Sequence, residues 1–195
     1  MFLGGMTSTL TEYRVVANLN ERVMANFISW IRFVVYDGDL DRLFDQVVED
    51  VKKAREKYKN DKDFKFGSIG DYVRQIDLHN EVRTWLKIKS IVEMALGKYP
   101  TTLYEDIQFL ATDTQLTTNT RNCLLLRIGE KKILHFLLST ANHLVAMSDL
   151  KKEQAVSYML KNHKSLKGSL QYVKQVFLPM MENQENGNGK RKEEL

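Results

Sequence analysis

Proline is nearly missing from this chain: among 195 residues only Pro100 and Pro179 occur. Proline removes a backbone donor and its ring clashes with the preceding turn, so a chain this poor in it can run long, uninterrupted helices. The spacing of apolar residues agrees. Across 39–59, Leu40, Leu43, Phe44, Val47, Val48, Val51, Ala54 and Tyr58 recur at three- and four-residue steps and predict one amphipathic helix. Asp45, Glu49, Lys52, Lys53, Glu56 and Lys59 fill its opposite face.

The same reading predicts further helices on either side. Residues 23–36 are apolar over most of their length and suit a buried helix. From 78 to 96, Val82, Trp85, Ile88, Val92 and Leu96 share one side, and Gly97 stands where a helix would stop. Thr102 and Glu105 have capping-box spacing and predict a helix start at 103. A long helix is expected over 117–146, with Gly129 as its weak point. A last one spans 149–178, bent near Gly168-Ser169 and ended by Pro179. Residues 13–19 are rich in valine and read as one short strand, and 60–70 read as a loop. The expected fold is all-α, an irregular multi-helix array with one short N-terminal strand. Residues 1–12 are expected to be flexible, 13–180 to form the domain, and 181–195 to be a disordered polar tail.

Composition narrows the function. Hydrophobic residues at 43% and charged ones at 28% are those of a globular domain. No run reaches the roughly 18–20 apolar residues of a membrane span, and the N-terminus does not read as a signal peptide. Cytosol or nucleus is the expected compartment. Cys123 is the only cysteine, which excludes a disulfide framework and a cysteine-built zinc site; within Cys123-Leu124-Leu125-Leu126 it reads as a small buried thiol. His79, His135, His143 and His163 form no His-x-x-x-His pair. Asp37, Asp39 and Asp41 hint at a calcium loop, but the glycine stands at 38 and Val48 occupies the twelfth position; they read as turn and N-cap residues. No glycine-rich phosphate cradle is present. The net charge is +4 and the pI about 9.0. Two lysine-rich faces stand out, one through Lys52, Lys53, Arg55, Lys57, Lys59, Lys62 and Lys65, the other through Lys152, Lys161, Lys164, Lys167 and Lys174. Solvated helix faces account for both, with an acidic protein or nucleic acid as the alternative.

Three stretches, in order, carry a resemblance. The first is Leu19-Asn20-Glu21 with Phe27-Ile28-Ser29-Trp30-Ile31-Arg32-Phe33. The second is Asn80-Glu81-Val82-Arg83-Thr84-Trp85-Leu86, leading to Tyr99-Pro100-Thr101-Thr102-Leu103-Tyr104-Glu105-Asp106. The third is Arg121 with Leu126-Arg127-Ile128-Gly129-Glu130-Lys131-Lys132-Ile133-Leu134. Together, over about residues 13–145, they resemble the C-terminal domain of the Rubisco large-subunit methyltransferase family, SET-type protein methyltransferases that include the actin-histidine methyltransferase. The resemblance implies an all-helical domain that helps to hold a protein substrate beside a SET core, which binds S-adenosylmethionine. The family's catalytic motifs are not matched: Asn142-His143 and Asn162-His163 fall inside predicted helices. No catalytic, cofactor-binding or metal-binding residue is therefore carried across, and this chain alone is not expected to be catalytic. The expected cofactor, S-adenosylmethionine, belongs to a SET domain elsewhere, in a longer product or a separate chain. The expected partner is a protein substrate, not a membrane, and nucleic acid is the weaker reading. The alternative is a stand-alone helical adaptor for acidic proteins or RNA.

The residues singled out are Trp85, Arg121, Arg127, Gly129, Glu130 and Lys131. Arg127, Glu130 and Lys131 stand at three- and four-residue steps, so on a helix they share a face and can pair with a neighbouring element. Gly129 suggests a close backbone approach, and Trp85 reads as a core anchor.

Overall fold

A computed structural model describes residues 22–57 and 76–184. The elements are α1 (Arg22–Val34), α2 (Leu40–Lys57), α3 (Leu78–Leu96), α4 (Leu103–Thr112), α5 (Thr118–Ser148), α6 (Lys152–Lys161) and α7 (Leu170–Tyr172). A π-helical turn, Val173–Phe177, continues α7 into helical residues 178–184. The described residues are all-α, as expected. The strand at 13–19, the loop at 60–70 and the flexible start at 1–12 lie outside them.

The long helices α3 and α5 form the centre. Trp85, Ile88 and Val92 of α3 meet Ile133, Leu137, Ala141, Leu144 and Met147 of α5 in one cluster, with Ile28 and Ile31 of α1 alongside. Ala155 and Met159 of α6 and Val173, Phe177, Met180 and Met181 at the C-terminal end complete it. Burying each of the larger aliphatic and aromatic side chains stabilises by about 1.5–3 kcal/mol, which outweighs the modest helix propensity of the β-branched residues. Helix starts are held locally. Asp77 accepts from Asn80 N at 2.7 Å, Thr117 Oγ1 from Thr120 N at 3.2 Å, and Asp39 from the amides of Asp41 and Arg42 at 3.0 and 3.2 Å. Asp39 thus does the capping work that its spacing suggested.

The structure departs from the sequence reading in four places. The apolar stripe of α2 is wider than the seam it fills: Leu43 and Val47 are buried while Leu40, Phe44 and Val48 are exposed. Cys123 is exposed, because the first turns of α5 project beyond the core and only Leu124 of its apolar run is buried. The single helix expected over 149–178 is two pieces joined by turns at 162–169. There Asn162 Nδ2 bonds Tyr158 O at 2.9 Å and Ser165 Oγ bonds Asn162 O at 2.9 Å. Such local side-chain bonds compete with the helical ladder. Asn162-His163 consequently stands in a turn and not in a helix. Finally, Pro179 does not end the last helix, which continues through 184. The Leu178 amide bonds Val173 O, one residue further back than in an α-helix, and this widened turn accommodates a ring with no N–H just beyond it.

Candidate protein-binding surface and its polar clamp

Helix α4 owes its start to the predicted capping box. Glu105 N donates to Thr102 Oγ1 at 3.2 Å, and Thr102 N donates to Glu105 Oε2 at 2.6 Å. The Thr102 backbone bond comes first among the causes holding the Glu105 carboxyl below its usual range. This cap fixes the phase of the helix, so that Asp106 turns inward and is 1% exposed, between the half-buried Leu103 and Leu110.

Asp106 is the anchor by which α4 docks on α5. Arg127 Nε and a terminal nitrogen donate to its two oxygens at 3.0 and 2.6 Å. Lys131 Nζ donates to Oδ2 at 2.6 Å, and Thr101 Oγ1 to Oδ1 at 2.6 Å. The Lys131 ammonium also donates to Thr101 O at 2.5 Å and to Thr101 Oγ1 at 3.1 Å, and it lies 4.8 Å from the centre of the Tyr99 ring. Tyr99 in turn donates its hydroxyl to Glu130 Oε2 at 2.9 Å. Burial by itself pushes the Asp106 carboxyl up, but the bonds from Lys131, Thr101 and Arg127 together hold it below its usual value. At Tyr99, burial and then Glu130 push the phenol up. The shared face predicted for Arg127, Glu130 and Lys131 is therefore real, and its partner is the 99–106 segment. A buried, fully bonded carboxylate tolerates two cations because every lone pair is used.

What this clamp presents outward is apolar. Tyr104 is 70% exposed and Leu126 63%, with Ile107 and Phe109 also exposed. Tyr104, Ile107, Gln108 and Ala111 follow at three- and four-residue steps, all exposed, and form one outward face of α4. From Ile107 to Thr120 the only charged residue is Asp113. Exposed aromatic and aliphatic side chains with few charges are the composition of an interface core and not of ordinary solvated surface. Arg121 is exposed at the start of α5 beside this stretch, and Gly129 is buried further along the helix.

Trp85 belongs to a second cluster that sequence reasoning did not foresee. Glu81, 1% exposed, accepts from Arg32 at 2.6 and 3.1 Å, from Trp85 Nε1 at 2.9 Å and from the Tyr172 hydroxyl. Arg32 and Trp85 also donate to the Tyr172 oxygen at 2.9 and 3.2 Å. This network ties α1, α3 and α7 together within the core. Only fragments of it show in the sequence: the four-residue step from Glu81 to Trp85, and an arginine, Arg32, in the last turn of a mostly apolar helix. Its role is architectural, since all its members are enclosed.

The histidines do not gather. His79, His135 and His163 are exposed, while His143 is half-buried against the Tyr158 hydroxyl at 2.9 Å, and burial pushes its pKa down. Among the described residues, no helix is long and apolar enough to cross a membrane.

Comparison with known proteins gives one family. The model of the Rubisco LSMT substrate-binding domain matches residues 5–134. That span includes α1 to α4, the first half of α5 and both polar clusters apart from Tyr172. No curated protein and no solved structure matches.

Proposed function

Because the chain belongs to the Rubisco LSMT substrate-binding family, we propose that it holds a protein substrate for a SET-type protein N-methyltransferase. The transferred methyl group comes from S-adenosylmethionine bound by a SET catalytic domain, in a longer product or a separate chain. The acceptor is the ε-amine of a lysine or an imidazole nitrogen of a histidine. The family match is the observation that carries this reading. The exposed apolar face of α4 is the surface we assign to the substrate, because the polar clamp to α5 runs through Asp106 on the opposite side and leaves Tyr104 70% exposed. Cytosol and nucleus are the compartments this reading assigns.

Photo-crosslinking tests it. A benzoylphenylalanine at position 104 or 107, in the full chain expressed in cells, is expected to capture proteins that carry methyl-lysine or methyl-histidine near the crosslink. Tyr104→Ser with Ile107→Ser is expected to abolish that capture when the probe is moved to position 126. Captured proteins without either modification, or capture indifferent to the double substitution, would overturn the assignment.

A further inference from the structure

The second lysine-rich stretch lies outside residues 5–134, which the family model covers, and the structure gives it an unusual setting. Between Glu153 and Glu182 there is no aspartate or glutamate, while Lys161, Lys164, Lys167 and Lys174 all occur there. All four are exposed, and among the described residues no carboxylate pairs with any of them. Glu182, at the far edge of the gap, is engaged by Lys152 at 2.6 Å.

We propose that the turn at 161–167 is a docking site for an acidic protein segment, separate from the α4 surface. Three observations carry it. First, the turn is built and not loose. Leu166 is fully buried and Ser169 1% exposed, and Leu166 N bonds Asn162 O at 3.1 Å while Ser169 N bonds Leu166 O at 2.8 Å. The backbone is thereby pinned to the core while Lys161, His163, Lys164 and Lys167 face solvent. Second, Lys161, Lys164 and Lys167 stand within seven consecutive residues that hold no anion, so the turn carries an uncompensated positive charge. A carboxylate-bearing partner relieves it, and the preset turn lowers the ordering cost of binding.

Third, the chemistry favours acidic protein over nucleic acid. Among the described residues the exposed aromatic side chains, Trp30, Phe44, Tyr104 and Phe109, lie on α1, α2 and α4. In 152–184, Tyr158 is half-buried and Tyr172 and Phe177 are buried, so among the described residues of this stretch no base-stacking platform flanks the lysines. The stretch holds no arginine, whose planar fork would grip phosphate bidentately. Leu160, 62% exposed, sits next to Lys161 and offers an apolar contact. The partner that fits is an extended segment with several carboxylates and an aliphatic side chain among them.

The experiment is fluorescence anisotropy on the full chain. Its probes are a labelled short peptide of glutamates interspersed with leucine and serine, the same peptide with glutamine for glutamate, and a labelled single-stranded RNA. The glutamate peptide is expected to bind and to weaken several-fold between about 0.05 and 0.2 M salt. The triple variant Lys161→Gln, Lys164→Gln, Lys167→Gln is expected to weaken it roughly tenfold at low salt. These side chains are exposed, so the variant's circular dichroism should match that of the parent. Tyr104→Ser with Ile107→Ser is expected to leave peptide binding unchanged, which separates this site from the substrate surface. Equal binding of the glutamine peptide, equal binding by the triple variant, or tighter RNA binding lost in that variant would each overturn the proposal.

Discussion

The clamp at Asp106 makes a quantitative claim. Lys131→Met keeps the unbranched stem that fills the space below Asp106 and removes only the ammonium. Both Lys131 and Asp106 have side chains 1% exposed. Removing one member of such a pair usually costs about 3–5 kcal/mol, because the remaining charge is stranded. Here Asp106 keeps two bonds from Arg127 and one from Thr101, so the expected loss is about 2–3 kcal/mol. Replacing both, Asp106→Leu with Lys131→Met, removes the stranded charge and should recover most of that loss. Urea unfolding at neutral pH, followed by circular dichroism, measures the global part. Hydrogen exchange over 103–112 measures the local part, since α4 should lose protection before α3 does. The pH dependence supplies a third check. The folded pKa of Asp106 is depressed, so its contribution is fully present above the unfolded value of 3.8 and disappears as pH falls through the lower folded value. Without Lys131 the folded pKa rises toward the unfolded one, so the acid-driven loss, which starts from the unfolded value in both proteins, should be shallower in the variant than in the parent. A stability loss below about 0.5 kcal/mol together with an acid-driven loss as deep as the parent's would refute the idea that this pair holds α4.

Other expectations are simpler. Arg32→Met strands the enclosed Glu81 carboxylate and should cost about 3–5 kcal/mol, whereas Trp85→Phe, which removes one donor to it, should cost about 1–3 kcal/mol by denaturant unfolding. Leu166→Ala should destabilise by about 2–5 kcal/mol and Leu160→Ala by less than about 0.5 kcal/mol, since one anchors the basic turn and the other is exposed. The Cys123 thiol should react fully with a disulfide reagent in native buffer; a reaction that waits on denaturant would contradict its exposed position.

The helices with a strong one-sided pattern were legible in the sequence. The expected 78–96 is the observed α3, and the Thr102–Glu105 box starts α4 where its spacing placed it. Periodicity reports which face is apolar but not how much of that face finds a partner. That is why Val48, and Phe44 with only the Phe33 ring against it, read as core and are exposed. The same blindness misplaced Cys123, whose apolar neighbours lie on a helix end that projects past the core. Breaks in the last helix depended on side-chain bonds at Asn162 and Ser165 and on a five-residue turn before Pro179, none of which has a periodic signature. Of the two polar clusters, the one within α5's sequence motif was half visible. Its anion, Asp106, and the whole Arg32–Glu81–Tyr172 set join residues far apart in the chain, and no local spacing encodes such a meeting.

The way α4 is held has a consequence for how the domain can change over generations. Its attachment uses Asp106, its cap and a narrow seam at Leu103 and Leu110, whereas positions 104, 107, 108 and 111 point away. Substitutions at those outer positions, Tyr104 above all, disturb packing far less than one at Asp106. A lineage could therefore exchange one recognised partner for another by altering them singly, without passing through unstable intermediates. A saturation scan of the helix should show this division directly, as intolerance at 106 beside broad tolerance for folding at 104, 107, 108 and 111.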